Sequence, residues 1–177
     1  MASLQQWIQR LESVKHAPTE QWNPPYCGEI PISIDSQGRW FYQGSEIARQ
    51  KLVQLFASVL VVEEQQYYLV TPAEKVKISV ADVPFVITDY QQASSDDGET
   101  VWLVETNVGD KVAISDQHPL EVRNGIPYVT VYRGLQAKLH RNVFYRWVDM
   151  AEVEELQGVS RYFIRSAGKK YLLGEVG

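Results

Sequence analysis

The stretch RGLQAKLHRNVFYRW, at positions 133–147, combines a regular apolar spacing with a local excess of positive charge. Leu139, Val143 and Trp147 recur at every fourth position, which predicts an amphipathic helix with one apolar face. At about 100° per residue, the opposite face of this helix would present Lys138, Arg141 and Tyr145. We therefore predict a helix over 133–147 that is buried on one side and cationic on the other, although an ordinary solvated helix surface would show the same pattern.

The chain as a whole is acidic, which limits the partners that this cationic stretch can serve. Its 177 residues carry a formal net charge of -5, with 17 Lys and Arg against 22 Asp and Glu. Proteins that bind DNA, RNA or membrane surfaces usually present a basic field over much of their surface, so we expect neither nucleic acid nor membrane as a partner. A local site for a small anion, or for an acidic protein, is compatible with this composition.

Cysteine and histidine usage argues against metal and redox chemistry. Cys27 is the single cysteine, so the chain can form no intramolecular disulfide and no thiolate metal cluster. The three histidines are widely separated, and no Walker loop, GxGxxG or HExxH motif occurs. We therefore expect no metal and no cofactor. The first residues also lack the unbroken apolar core of a signal peptide, and we expect a cytoplasmic protein.

Periodicity divides the chain into an N-terminal segment and two domains. Apolar residues at helical spacing between positions 4 and 14 predict a short helix, and three prolines between 16 and 26 predict a linker after it. Strand-like runs then alternate with one predicted helix near 45–60, and the later part of the chain is richer in strands. We expect an N-terminal helix and linker over 1–26, a first α+β domain over 27–83, and a second, β-rich α+β domain over 84–177.

A weak internal repeat relates the two domains. Gly38 and Gly125 lie 87 positions apart, and at this offset the apolar spacing of the two predicted helices coincides. After the helices, an offset of 94 matches Tyr68 with Tyr162. We therefore predict an α+β fold built by duplication of a strand-strand-helix-strand-strand unit.

The repeat also makes a prediction about the charged residues. At the offset of 87, Arg141 corresponds to Gln54 and Tyr145 to Ser58, so the basic character would belong to the second helix alone. Scaffold geometry would then not explain it.

Catalysis by carboxylates would leave no motif in a single sequence, because Asp and Glu can form an acid and base pair at any spacing. Four carboxylates lie in or beside predicted strands: Glu74, Asp82, Asp89 and Glu105. Nothing in their spacing brings two of them together. A hydrolase is therefore the second alternative among the functions considered, and we lean against an enzyme.

Several segments together resemble a bacterial family known as domain of unknown function 1285. They are FYQGSEIARQKLVQLFASVL, YYLVTPAEKVKISVADVPFV, ETNVGDKV, HPL and PYVTVYRGLQAKLHRNVFY, within positions 41–145. The resemblance implies a duplication of structural motifs in which the second domain is superficially similar to a pleckstrin-homology fold. It also implies a nucleotide-type ligand at the domain interface and a role in signalling. The polar positions that match the family's motifs are Arg49, Thr71, Glu74, Lys75, Thr106, Asn107, Arg133, Arg141 and Tyr145.

These observations predict a non-enzymatic module that binds a small phosphorylated or nucleotide-like molecule between its two domains. Arg133, Arg141 and Lys75 would hold the anion, because cationic side chains, and guanidinium forks above all, pair well with phosphate. The ring of Tyr145 or of Trp40 would stack on a base. The candidate binding set is completed by Glu74, Arg49 and Asn107.

A protein-interaction scaffold is the first alternative. In that case the cationic face of 133–147 would dock an acidic protein partner, with exposed aromatic side chains as anchors. The same cations would instead pair within the chain if the acidic segment 152–155 folded back onto them.

Overall fold

The computed structural model describes residues 16–177, so the predicted N-terminal helix lies outside the described residues. Two six-stranded sheets, a three-stranded sheet, two α-helices and a short 3-10 helix at Thr19–Gln21 make up this part of the chain. Neither α-helix among the described residues combines the length and the apolar character that crossing a membrane requires.

The first domain contains one sheet and one helix. Its strands are β1 Tyr26–Ile34, β2 Trp40–Tyr42, β3 Ser45–Glu46, β4 Leu60–Glu63, β5 Gln66–Val70 and β6 Lys75–Val80, and its helix is α1, Gln50–Ser58. The sheet order is β3-β2-β1-β6-β5-β4, with β1 and β6 parallel at the centre and antiparallel neighbours elsewhere. α1 connects the two three-stranded halves and buries Val53 and Ala57.

The second domain contains a similar six-stranded sheet, followed by a helix and three further strands. The sheet strands are β7 Phe85–Ser94, β8 Thr100–Thr106, β9 Lys111–Ala113, β10 Leu120–Arg123, β11 Ile126–Tyr132 and β12 Leu135–Leu139. The later elements are α2 Arg141–Met150, β13 Glu152–Leu156, β14 Val159–Ser166 and β15 Lys169–Val176. The six-stranded sheet has the order β10-β11-β12-β7-β8-β9, and again a parallel pair, β12 with β7, lies at its centre.

The single helix predicted over 133–147 is wrong in its first half. Arg133 and Gly134 form a turn with φ of 51° and 75°, β12 follows, and α2 begins at Arg141. The reason is a second periodicity within the same letters: Leu135, Ala137 and Leu139 are buried at alternate positions, as in a strand. Leu139 fits both spacings. The predicted helix was therefore extended from α2 back over the residues of β12.

The predicted duplication is confirmed. The order strand-strand-strand-helix-strand-strand-strand occurs from β1 to β6 with α1, and again from β10 to β15 with α2. The offset of 94 holds at the last strand, because Lys75 and Lys169 are the first residues of β6 and β15. It does not hold for Tyr68 and Tyr162, because the turn before β6 is two residues longer than the turn before β15.

The offset of 87 does not hold through the helices. Gln43 and Arg133 occupy equivalent turns with positive φ, each before a glycine, and they are 90 positions apart. The buried helix positions Val53 and Val143 have the same separation. Arg141 therefore corresponds to exposed Lys51, and Tyr145 to exposed Leu55. Arg141 therefore has a basic counterpart, which corrects its predicted match with Gln54, whereas Arg146 corresponds to Phe56 and is basic in the second helix alone.

Both domains contribute to one hydrophobic core. The fully buried side chains include Trp40 and Leu60 from the first domain and Phe85, Leu135 and Trp147 from the second. Trp147 extends from α2 and packs against Trp102, with ring centroids 4.7 Å apart. Burial of the apolar face of α2 fixes the direction of its polar face, where the candidate site lies.

Candidate functional site

An open cleft of about 620 Å³ lies where the start of α2 meets a turn of the first domain. Its volume is within the range of small-molecule sites, roughly 300–1,000 Å³. The lining residues are Gln37, Val86, Gly125, Ile126, Pro127, Lys138, Leu139, His140, Arg141, Asn142, Phe144 and Tyr145. None of these described residues is an Asp or Glu, so a negatively charged group would meet no carboxylate on the cleft wall.

The cleft is positioned by the transition from β12 to α2. The backbone N–H of His140 donates to Ile87 O at 3.0 Å, which continues the parallel pairing up to the strand end. The His140 side chain then caps the helix, because its Nδ1 accepts from the backbone N–H of Asn142 at 3.1 Å. Because Arg141 and Asn142, the first residues of α2, line the cleft, the positive end of the helix dipole faces it and favours an anion there.

Two cationic side chains line the cleft in different environments. The Lys138 side chain is 18% exposed, and its Nζ lies 3.9 Å from Asp82 Oδ2. Asp82 also accepts a hydrogen bond from the hydroxyl of Tyr128 at 3.0 Å. Arg141 is exposed, and it forms no ion pair with any residue in 16–177. Its guanidinium therefore has all of its hydrogen-bond donors free of carboxylate partners in the described chain.

Tyr145 completes the cleft from the next turn of α2. It is 57% exposed, so its ring offers an aromatic surface at the cleft wall. Arg141 and Tyr145 are thus the two members of the predicted binding set that the structure brings together. The contributions of His140 and Asn142 were not foreseen, because they depend on the strand-to-helix transition that the sequence pattern hid. Gln37 was not foreseen either, because it reaches the cleft through the packing of the two domains.

Arg133 lies away from this cleft and is occupied by the protein itself. Its guanidinium donates to the backbone carbonyl oxygens of Ala17 and Ser58, the latter at 3.4 Å. Glu20 lies 3.6 Å from the same group. Arg133 therefore fastens the linker to the end of α1, and we do not include it in the candidate site.

Lys75 and Trp40 are also placed elsewhere. Lys75 pairs with Glu63, and its Nζ lies 4.4 Å from the centroid of the Tyr68 ring. Trp40 is 2% exposed and stacks on Phe56 in the core, so its ring offers no face to a ligand. Both side chains stabilise the first domain.

Asn107 joins the two domains directly behind the cleft. Its side-chain amide donates to Gly38 O at 2.9 Å, and its Oδ1 accepts from the backbone N–H of Val86 at 3.0 Å. The side chain of Gln50, from α1, donates to Asn107 O at 3.0 Å. At Gly38, where φ is 77°, an added Cβ would lie 2.9 Å from Asn107 Nδ2. Asn107 therefore holds the cleft wall in place, and it is not itself among the residues that line the cleft.

The two remaining members of the predicted set do not line the cleft. Arg49 is exposed at the N-terminal end of α1. Glu74 belongs to the turn between β5 and β6, where its backbone N–H donates to Thr71 Oγ1 at 3.1 Å. The acidic segment is also accounted for, because Glu152 pairs with Arg165 on β14. It therefore does not neutralise the cations of α2.

A second cavity, of about 330 Å³, lies beneath the linker between α1 and the loop after β8. It is lined by His16, Asp110 and Tyr132 together with parts of α1. Burial, and then the charge of Arg133, lowers the pKa of His16 to about 4, whereas burial raises the pKa of Asp110 to about 6. The Tyr132 hydroxyl donates to Ala57 O at 3.1 Å. Sequence analysis missed this cluster, because its members are far apart in the chain and belong to no motif.

Two of the four carboxylates considered for catalysis do lie together. Asp89 and Glu105 are cross-strand partners on β7 and β8, and they line a hollow of about 110 Å³ beside Lys111. Their spacing in the sequence did not bring these two together, because strand pairing joins residues that have no regular spacing. The hollow is well below the roughly 300 Å³ of a typical small-molecule site. No group of three or more His, Cys, Asp or Glu in residues 16–177 is placed to hold a metal ion.

Comparison with known proteins gives a consistent relationship along the chain. The model for the N-terminal domain of the domain of unknown function DUF1285 matches residues 17–83, and the model for the C-terminal domain of the DUF1285 proteins of unknown function matches residues 84–173. No curated protein matches the chain.

Two crystal structures of DUF1285 family proteins are similar to this chain. The protein from Silicibacter pomeroyi DSS-3 is 36% identical, with a TM-score of 0.81 over 99% of this chain and 97% of that one. The protein from Shewanella baltica OS155 is 28% identical, with a TM-score of 0.57 over 70% of this chain and 94% of that one. The chain therefore belongs to the DUF1285 family.

Proposed function

We propose that the protein binds a small phosphorylated or nucleotide-like molecule in the cleft at the start of α2, as a non-enzymatic module of cytoplasmic signalling. The observation that carries the proposal is the meeting of Lys138, Arg141 and the N-terminal end of α2 on one cleft. Among residues 16–177, no carboxylate lines this cleft and none pairs with Arg141, although the protein is otherwise acidic, with a net charge of -5. The Asp82 carboxylate, 3.9 Å from Lys138 Nζ, offsets part of the Lys138 charge, so Arg141 is the main cation offered to an anion.

The proposed arrangement assigns a separate task to each group. The Arg141 guanidinium pairs with two phosphate oxygens, and Lys138 contributes a second, less exposed positive charge. The backbone N–H groups of the first turn of α2 add the helix dipole. Tyr145 provides a face for a base or another flat group. This assignment replaces Arg133, Lys75 and Trp40 in the role predicted from sequence.

The experiment compares two arginines of the same helix. Arg141 lines the cleft, whereas Arg146 is exposed on α2 without lining it, so Arg146→Ala removes the same charge from the same element. AMP, adenosine and inorganic phosphate are titrated by calorimetry against each variant. We expect AMP to bind, and Arg141→Ala to weaken it by roughly tenfold or more, since a hydrogen bond to a charged group contributes about 1.5–3 kcal/mol.

Two results would contradict this proposal. One is the absence of binding by AMP and by phosphate at millimolar concentration. The other is an equal loss of affinity in Arg141→Ala and Arg146→Ala, because that outcome would indicate a diffuse field around the helix in place of a site.

A protein-interaction scaffold is favoured by a different observation. Exposed apolar side chains continue past the cations of α2, through Met150 at the helix end and Val153 on β13. An acidic protein segment could pair with Arg141 and Arg146 while covering these apolar groups. Capture of such a partner that is lost in Arg146→Glu, and that AMP does not displace, would support the scaffold over the small-molecule site.

A further inference from the structure

The cleft does not end at Tyr145. A second hollow, of about 440 Å³, adjoins it and shares Gly125, Phe144 and Tyr145 with it as lining residues. Beyond these shared residues the wall is formed largely by apolar and aromatic side chains. The main ones are Val148, Tyr162 and Val176. The two hollows therefore lie side by side along α2, from its N-terminal end toward β14 and β15, and together they are called the groove below.

Charge changes along this groove. Lys138 and Arg141 lie at one end, and the far end has Asp149 and Glu175 among its lining residues. Glu175 pairs with Arg161 at 3.1 Å, so its charge is partly compensated. An elongated ligand with a single negative group would therefore be oriented, with that group held at the Arg141 end and repelled from the Asp149 end.

We propose that the ligand is an anionic amphiphile, a phosphate monoester that carries an alkyl or acyl chain. This inference rests on the proposed function, because it assigns the phosphate to the same Lys138 and Arg141. The chain passes Gly125 and the ring of Tyr145 and lies against Val148 and Val176. Burial of its methylene groups supplies the affinity that an exposed phosphate site alone would lack.

The groove favours a free amphiphile over a lipid that stays in a bilayer. A membrane surface would have to approach the apolar end, where Asp149 lies, and anionic lipids would be repelled by that carboxylate. The net charge of -5 opposes the same approach. A single amphiphile in free solution can enter the groove. Asp149 then meets no neighbouring anionic head groups.

The test uses ethyl, butyl and octyl phosphate at concentrations where each is monomeric, titrated against the full chain by calorimetry. We expect octyl phosphate to bind at least about thirtyfold more tightly than ethyl phosphate, because each fully buried methylene contributes about fourfold. Val176→Asp should reduce this gain to below about threefold, because it places a carboxylate where the alkyl chain would lie. Leu156→Asp is the matched control, because Leu156 is 66% exposed outside the groove while Val176 is 61% exposed within it.

The possible outcomes separate the two proposals. Equal affinity along the series, with Arg141→Ala still weakening phosphate binding, would overturn the amphiphile and leave the anion site standing. No binding of any phosphate would overturn both. Binding to vesicles of anionic phospholipid without binding of octyl phosphate would also overturn the inference, in favour of a membrane surface. A chain-length gain that Val176→Asp removes and Leu156→Asp retains would support it.

Discussion

Arg133 and Arg141 are eight positions apart in one cationic stretch, yet the fold gives them opposite surroundings. Arg133 is half-buried, and its donors meet the carbonyl oxygens of Ala17 and Ser58. Arg141 is exposed at the wall of an open cleft, where no carboxylate of the described residues pairs with it. A buried cation must find acceptors in the protein itself, whereas an exposed one can keep its donors for a ligand. The difference separates a structural arginine from a candidate binding arginine.

Asn107→Ala should have the largest effect on stability, because it loosens the junction between the two domains. It leaves Gly38 O and the backbone N–H of Val86 without their side-chain partner. We expect the free energy of unfolding to fall by about 3 kcal/mol, since each orphaned backbone group costs about 1–3 kcal/mol. Chemical denaturation measures the change.

Asn107→Asp provides the internal control for that result. The carboxylate keeps an acceptor for the backbone N–H of Val86, but its second oxygen faces Gly38 O, and two acceptors repel each other. The free energy of unfolding should therefore stay below that of the original chain. If both variants are as stable as the original chain, Asn107 does not hold the domains together as its hydrogen bonds indicate.

Arg133→Ala should have the next largest effect. It removes a charged donor from two backbone carbonyl oxygens and weakens the attachment of the linker to the end of α1, where the backbone hydrogen bond from Ala17 to Ser58 O remains. We expect the free energy of unfolding to fall by about 2 kcal/mol, because hydrogen bonds to charged groups contribute about 1.5–3 kcal/mol. Protease cleavage within 16–25 should also become faster. Unchanged cleavage would argue against Arg133 as the fastening residue of the linker.

The neighbours of Arg133 should make stability depend on pH in two opposing ways. The pKa of His16 is lowered from 6.5 to about 4, so its contribution to stability is lost as the pH falls through that window. The pKa of Asp110 is raised from 3.8 to about 6, so its contribution is present below 3.8 and lost as the pH rises through about 6. The two contributions therefore oppose each other between pH 4 and 6.

Single variants should reveal each contribution. As the pH rises from 4 to 6.5, the free energy of unfolding of Asp110→Asn should increase by about 1–2 kcal/mol relative to that of the original chain. This value is reduced for partial solvent screening. The free energy of unfolding of His16→Gln should fall by a similar amount, relative to that of the original chain, over the same range. Denaturation at a series of pH values checks both slopes. Parallel curves for all three proteins would show that neither group titrates with a shifted pKa.

The fold class and the duplication could be predicted from the sequence, because both depend on residue patterns that remain recognisable in each copy. Lys75 and Lys169, for example, begin equivalent strands, β6 and β15, in the two copies. Prediction from the sequence failed where two periods overlapped, since Leu139 fits a helix and a strand equally well. The candidate site was recovered only in part. Arg141 and Tyr145 share a helix and could be paired by spacing, whereas Gln37 reaches the cleft through the packing of the two domains.

Arg141→Ala should have the smallest effect on stability, and it tests the difference between Arg133 and Arg141 most directly. Substitution at an exposed position without a protein partner usually changes stability by less than about 0.5 kcal/mol. The same variant should weaken AMP or octyl phosphate binding by roughly tenfold, whereas Arg133→Ala should leave that affinity unchanged wherever the protein remains folded. Denaturation and calorimetry on both variants measure this double dissociation. If Arg141→Ala were instead the destabilising variant, the guanidinium would have a protein partner after all, and the cleft would lose the free cation on which ligand binding depends.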